Sequence, residues 1–279
     1  MLWLRIGLGL GLAYLALLAL AWAFQERVAF PAPRSPLLQP RDVGLPQGEL
    51  VELVTPSGTR LAGWYLPPRT SPDLPRHPPS FPTLLWFYGN GETIASIWPI
   101  LRDFQPPGTA LMVLDYPGYG ASGGRATEAG LYEAAEAAYE ALHRRPAVDG
   151  RRIYVYGRSL GSAVATHLAA RHPVAGLILE SPFTSAREMS GRHYGIFPRF
   201  ILRLGLDNLS AIKEVGCPVL VFHGTADGVV PPAMGRRVAA AAPGPVELVL
   251  IEGAGHNETY AVGGRAYRDK IWDFVRRAP

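Results

Sequence analysis

A serine hydroxyl is a weak nucleophile at neutral pH unless a general base stands beside it and a third group orients that base. Gly157-Arg158-Ser159-Leu160-Gly161 offers such a serine. The pentapeptide follows the apolar run Ile153 to Tyr156 and opens a helical stretch at Leu160, so Gly-x-Ser-x-Gly falls at a strand-turn-helix junction. A sharp turn there strains the serine backbone and lifts its hydroxyl clear, while the flanking glycines remove side chains that would collide. The amide of Leu160, at the positive end of the new helix, can donate to an oxygen that becomes negative during reaction.

The partners are expected in the order serine, acid, histidine. Asp227, in His223-Gly224-Thr225-Ala226-Asp227, and His256, in Gly253-Ala254-Gly255-His256, each follow a late apolar run and stand at its carboxyl end. His223 is the alternative base, assigned a structural role because it sits at a strand end before the acid; Glu180, closing an earlier run, is the alternative acid. A second oxyanion donor is expected from Gly89-Asn90-Gly91 after the run Thr83 to Tyr88, with the amide of Asn90 as the group. The chemistry is cleavage of an ester or thioester through an acyl-serine; a serine peptidase shares the machinery, and a tethered binding protein that lost turnover is the non-enzymatic alternative.

Positioning these groups requires a particular frame. The runs Leu50 to Val54 and Leu61 to Leu66, split by Thr55-Pro56-Ser57-Gly58, read as an antiparallel hairpin. Strands are then expected at 83–88, 110–115, 153–157, 175–180, 218–223 and 246–251, with helices near 127–144, 160–171, 232–242 and 260–277. This alternation predicts an α/β fold: a mostly parallel central sheet with helices on both faces, its ligands at the strand carboxyl ends. The stretch 181–212 leaves the rhythm and predicts a small cap, apolar around Tyr194 to Leu202 and suited to an acyl or alkyl chain.

Ahead of this domain, placed at 48–279, lie a proline-rich linker (25–47) and an apolar segment (1–24). From Leu2 to Phe24 the only charge is Arg5, and about 23 residues suffice to cross a hydrocarbon core of ~30 Å. A single-pass transmembrane anchor flanked by Trp3 and Trp22 is the expectation, with the catalytic domain outside the cytoplasm. The alternative is a signal peptide cleaved after Ala21 or Ala23, releasing a secreted or periplasmic enzyme. The expected partners are therefore a small-molecule or acylated substrate and, through the amino-terminal helix, a membrane. With a net charge of +4 the basic residues are scattered singly and in pairs, which speaks against nucleic acid as a partner. Cys217, the single cysteine, reads as buried and structural, and without clustered cysteine and histidine no metal or organic cofactor is implied. Gly118-Tyr119-Gly120-Ala121-Ser122-Gly123 matches a dinucleotide fingerprint, but the next strand ends in the Ser159 turn rather than in an acid, so the loop is read as packing beside the active site.

Taken together, Tyr88-Gly89-Asn90-Gly91, Asp115 to Gly120, the Ser159 turn, Glu180-Ser181-Pro182-Phe183-Thr184 and the Asp227 and His256 loops resemble the membrane-anchored branch of α/β-hydrolase-domain serine hydrolases, which includes protein depalmitoylases. The resemblance runs from about Leu50 to the end and implies the α/β-hydrolase fold with a Ser159, Asp227, His256 triad. Tyr88 departs from it, since many relatives carry histidine there. Glu92 is a second concern, because a carboxylate near an oxyanion site opposes negative charge unless it turns away or is neutralised by an arginine.

Overall fold

The computed structural model describes residues 2–69, 80–193, 195 and 197–276. Unbroken apolar runs suit strands covered on both faces, and five of them lie side by side as the centre of one sheet. The strands are β1 (Glu49–Val54), β2 (Arg60–Leu66), β3 (Phe81–Phe87), β4 (Ala110–Leu114), β5 (Val148–Arg158), β6 (Gly176–Glu180), β7 (Val219–Gly224) and β8 (Val246–Ile251), in the order β1-β2-β4-β3-β5-β6-β7-β8. β1 and β2 form the expected hairpin, with Val54 opposite Arg60, and β2 also runs antiparallel to β4; all other neighbours are parallel. This is the mostly parallel sheet the alternation predicts. Every β4, β6 and β7 residue is buried, whereas β1, at an edge, buries only Val51.

The helices are α1 (Leu2–Ala29), α2 (Ile94–Phe104), α3 (Glu128–His143), α4 (Leu160–Ala169), α5 (Ala186–His193), α6 (Asn208–Ala211), α7 (Pro232–Ala241) and α8 (Thr259–Arg276), the last broken at Gly264, where φ is 53°. The sequence gives no warning of α2, because Pro99 lies inside it; a capping box between Thr93 and Ser96 starts it, and Ile94, Ile97, Leu101 and Phe104 bury its inner face. Arg277, Tyr194, Ile196 and most of the second proline-rich stretch (70–79) fall outside the described residues.

Two differences at the amino terminus matter for function. The apolar helix does not stop near Phe24 but continues to Ala29. The stretch after it, expected as an extended linker, is seated on the domain: Phe30 and Leu45 are buried, the Trp64 indole donates to the Leu38 carbonyl at 2.9 Å, and Arg34 pairs with Gly120 as an isolated bridge. Its prolines deny it ladder partners of its own, so it binds to the domain through single contacts.

The glycine-rich loop after β4 is organised by Asp115. The Asp115 carboxylate accepts from the amides of Ile94 and Ala121 and from the Tyr88 hydroxyl, its carbonyl accepts from Ser122 Oγ, and Gly120 donates to the Pro33 carbonyl. Gly120, at φ 47°, turns so close over Asp115 that any side chain would strike the carboxylate. Amides that a dinucleotide phosphate would require are here engaged by the protein itself.

Candidate active site

The last turn of β5 and the first of α4 are pressed together: a side chain at Gly157 would strike the Gly161 carbonyl, and one at Gly161 the Phe87 carbonyl. Ser159, between them, is held at φ 49° and ψ −113°, a strained conformation for a residue with a Cβ. Its amide donates to the Glu180 carbonyl at 2.9 Å and its carbonyl accepts from Ser162 Oγ at 2.6 Å, so the strain is fixed from both sides. The hydroxyl is thereby aimed at His256.

Ser159 Oγ donates to His256 Nε2 at 3.0 Å, and His256 Nδ1 donates to Asp227 Oδ2 at 2.8 Å. An ionised carboxylate only accepts, so Asp227 demands the proton on Nδ1 and leaves Nε2 free to receive the serine proton. The other Asp227 oxygen accepts from the amides of Val229 and Val230 at 2.9 and 2.8 Å. Burial opposes ionisation of Asp227, but hydrogen bonds from His223, His256 and the Val230 amide outweigh it and hold the carboxyl below the ordinary carboxylate range. All three residues proposed from sequence therefore meet in one hydrogen-bonded chain.

The two rivals take other places. His223 is wholly buried, with Nε2 donating to the Val230 carbonyl at 2.9 Å and lying 3.4 Å from Asp227, and makes no hydrogen bond to Ser159 among the described residues. Glu180 is buried behind the serine turn and accepts from Tyr156, Tyr267, Thr259 and Arg158, with no bond to His256. Burial pushes the Cys217 thiol up to about 11, in keeping with a structural cysteine.

Asn90 and Leu160 both border the cavity that holds Ser159, and among the described residues neither backbone amide has a hydrogen-bond partner. The Asn90 side chain fixes its loop, accepting from the Tyr119 hydroxyl at 2.6 Å and donating to the Ala29 carbonyl at 2.7 Å. Tyr88 points into the core, bonded to Asp115 and to the Tyr116 amide, and leaves the donors unobstructed.

Arg158 answers the concern about Glu92. Its guanidinium pairs with Glu92 at 2.5 Å and Glu180 at 3.2 Å, and donates to Asn257 Oδ1 at 2.5 Å and the His256 carbonyl at 3.2 Å. Glu92 spends its other oxygen on the Gly89 amide at 2.6 Å. One half-buried arginine thus neutralises the carboxylate beside the oxyanion loop and braces the loop that carries His256. Burial acts against its charge, yet Glu180 and Glu92 raise its pKa further still. Arg158→Gln is expected to lower kcat by about tenfold to a hundredfold through misplacement of His256. The double substitution Arg158→Gln, Glu92→Gln should recover part of that loss, which steady-state ester hydrolysis measures.

Comparison with known proteins fits this geometry. The family model described as serine aminopeptidase S33, of the hydrolases, matches residues 79–207. An uncharacterized protein of Mycobacterium tuberculosis, Rv2307c, is 37% identical over 257 residues, covering 91% of this chain and 88% of the relative. The chain belongs to the α/β-hydrolase superfamily. The human alpha/beta hydrolase domain-containing protein 17B is 37% identical over 164 residues, 58% of this chain and 54% of that protein. The Pyrococcus furiosus esterase Pf2001 superposes with a TM-score of 0.70 at 19% identity, covering 88% of this chain and 98% of that one, a likeness of fold.

In this hydrolase Ser159 opens on a cavity of about 1270 Å³. The irregular segment after β6 covers it with Phe183, Met189, Ile201, Leu202 and Leu204. Its opposite wall, which the sequence reading missed, is α1 itself. Gln25, the polar residue that directly follows the apolar stretch ending at Phe24, was the available signal: its oxygen accepts from the amides of Arg203 and Leu204 at 2.7 and 3.3 Å, and its nitrogen donates to the Ile201 carbonyl at 3.4 Å.

Proposed function

We propose that the protein is a serine esterase or thioesterase acting on acyl or lipid-like substrates. The observation that carries the reading is the Ser159, His256, Asp227 chain, with Ser159 and His256 lining, beside Asn90 and Leu160, one mostly apolar cavity. Ser159 Oγ attacks the carbonyl carbon while His256 Nε2 takes its proton, and the amides of Leu160 and Asn90, with the amino end of α4, hold the oxyanion. Collapse breaks the bond to oxygen or sulfur, and His256 returns the proton to the departing alcohol or thiol. Water, deprotonated by His256, then attacks the acyl-serine; the carboxylic acid leaves and Ser159 recovers its proton.

The second reading, peptide hydrolysis, is favoured by the description of the matching family, serine aminopeptidase. A panel of acyl esters, thioesters and aminoacyl amides separates the two. Turnover of esters or thioesters with little amide cleavage supports the first; amide cleavage without ester turnover supports the second.

We also propose that α1 is a retained membrane anchor. By length and composition it is able to cross a bilayer, and it runs unbroken through both candidate cleavage sites before Gln25 and Ala29 are tied into the domain. The amino-terminal peptide carrying Trp3 is expected to be recovered with the membrane-fraction protein by mass spectrometry. A mature chain beginning at Trp22 or Phe24 would instead mark a signal peptide.

A further inference from the structure

The residues of α1 that border the Ser159 cavity are Leu17, Leu20, Ala21, Phe24, Gln25, Val28 and Ala29. Their spacing of three and four places them on one helix face, so the wall is a continuous stripe rather than scattered contacts. The stripe passes through the level at which the helix would leave a membrane. Leu2 to Trp22 covers about 30 Å, the thickness of a hydrocarbon core. At Trp22 the Arg203 guanidinium stacks over the indole at 4.3 Å and also donates to the Trp22 carbonyl at 3.3 Å, an aromatic-cation pairing suited to an interface. Leu17, Leu20 and Ala21 then lie at the leaflet level, while Gln25, Val28 and the catalytic groups lie beyond it.

We propose that α1 is one wall of the acyl-binding site, and that the substrate is a long-chain acyl ester or thioester resident in the membrane, whose chain reaches Ser159 laterally between α1 and the segment Phe197 to Leu206. The inference rests on the acyl-transfer and anchor readings above and names their substrate class. The chain stays against apolar surface throughout, so presentation of the carbonyl to Ser159 exposes no hydrocarbon to water. The stripe from Leu17 to Val28 is about 17 Å long, which an extended chain at about 1.2 Å per bond spans in about fourteen bonds. Because Ala29 also holds the Asn90 side chain, the helix that lines the chain fixes the loop that carries an oxyanion donor.

The test uses the full chain in phosphatidylcholine vesicles and a series of p-nitrophenyl esters from four to sixteen carbons. In the wild type, kcat/KM should rise with chain length to about fourteen carbons. Ala21→Trp, which fills the stripe, should lower the ratio of long-chain to short-chain kcat/KM by tenfold or more. Ala19→Trp, a matched substitution on the opposite, exposed face of the same helix, should leave that ratio unchanged. Leu17→Trp provides a second obstruction if Ala21→Trp does not accumulate, and fluorophosphonate labelling reports folding of each. Indistinguishable chain-length profiles for Ala21→Trp and Ala19→Trp would overturn the wall while leaving ester hydrolysis intact. A folded wild type that turns over none of the esters would defeat the ester-hydrolase reading and this inference with it.

Discussion

His256→Ala is expected to lower ester turnover by about a million-fold, the scale on which serine hydrolases respond to loss of their base. Ser159 Oγ has His256 Nε2 at 3.0 Å as its acceptor, and His223, the other histidine near Asp227, already spends Nε2 on the Val230 carbonyl inside the core. No neighbouring base is placed to substitute. Residual turnover above water, on the order of a thousandfold, should persist from the oxyanion amides alone. A loss of less than a hundredfold in steady-state hydrolysis of a short p-nitrophenyl ester would mean that another group takes the serine proton.

Asp227→Asn should lower kcat by about ten-thousandfold with little change in KM. The asparagine is isosteric, so the packing around it survives; what changes is the proton it demands of His256. An amide nitrogen facing Nδ1 would favour the imidazole tautomer with its proton on Nε2, where it faces Ser159 and cannot accept. Glu180→Gln supplies the contrast. Glu180 serves Tyr156, Tyr267, Thr259 and Arg158 rather than His256, so its loss should act mainly on stability, read as a fall in Tm. A larger kcat loss for Glu180→Gln than for Asp227→Asn would reverse the assignment of the acid. The depressed pKa of Asp227 sets a stability signature as well. Its ionised form stabilises the fold above the unfolded value near 3.9, and that contribution fades as pH falls toward the folded value. The stability gap between wild type and Asp227→Asn should therefore narrow below about pH 4 in acid titrations followed by circular dichroism.

Most of the frame was readable in the chain because its signals are local. Eight apolar runs bounded by glycine and proline became eight strands, and Ser159, Asp227 and His256 could be aligned because each ends or follows such a run at the same edge of the sheet. What escaped depends on contacts between distant residues. Pro99 hides α2, whose helical state is secured by burial of Ile97 and Leu101 against the core. Arg158 is an unremarkable second residue of its pentapeptide until the fold brings Glu92 and Asn257 to it. The greatest shortfall concerns α1: an apolar helix of spanning length explains itself as an anchor, and only Gln25, its one buried residue, betrays that the helix is also bonded to the domain. The proline-rich stretch behind it reads as a spacer for the same reason, since single hydrogen bonds to Trp64 and Gly120 leave no periodic trace.

Reaction of the detergent-solubilised full chain with a fluorophosphonate, followed by mass spectrometry of the modified peptide, tests the nucleophile most directly. The adduct should sit on Ser159, form in the wild type and vanish in Ser159→Ala while the variant keeps its fold. A folded wild type that does not label, or an adduct that survives Ser159→Ala, would contradict the assignment of Ser159 as the reacting group.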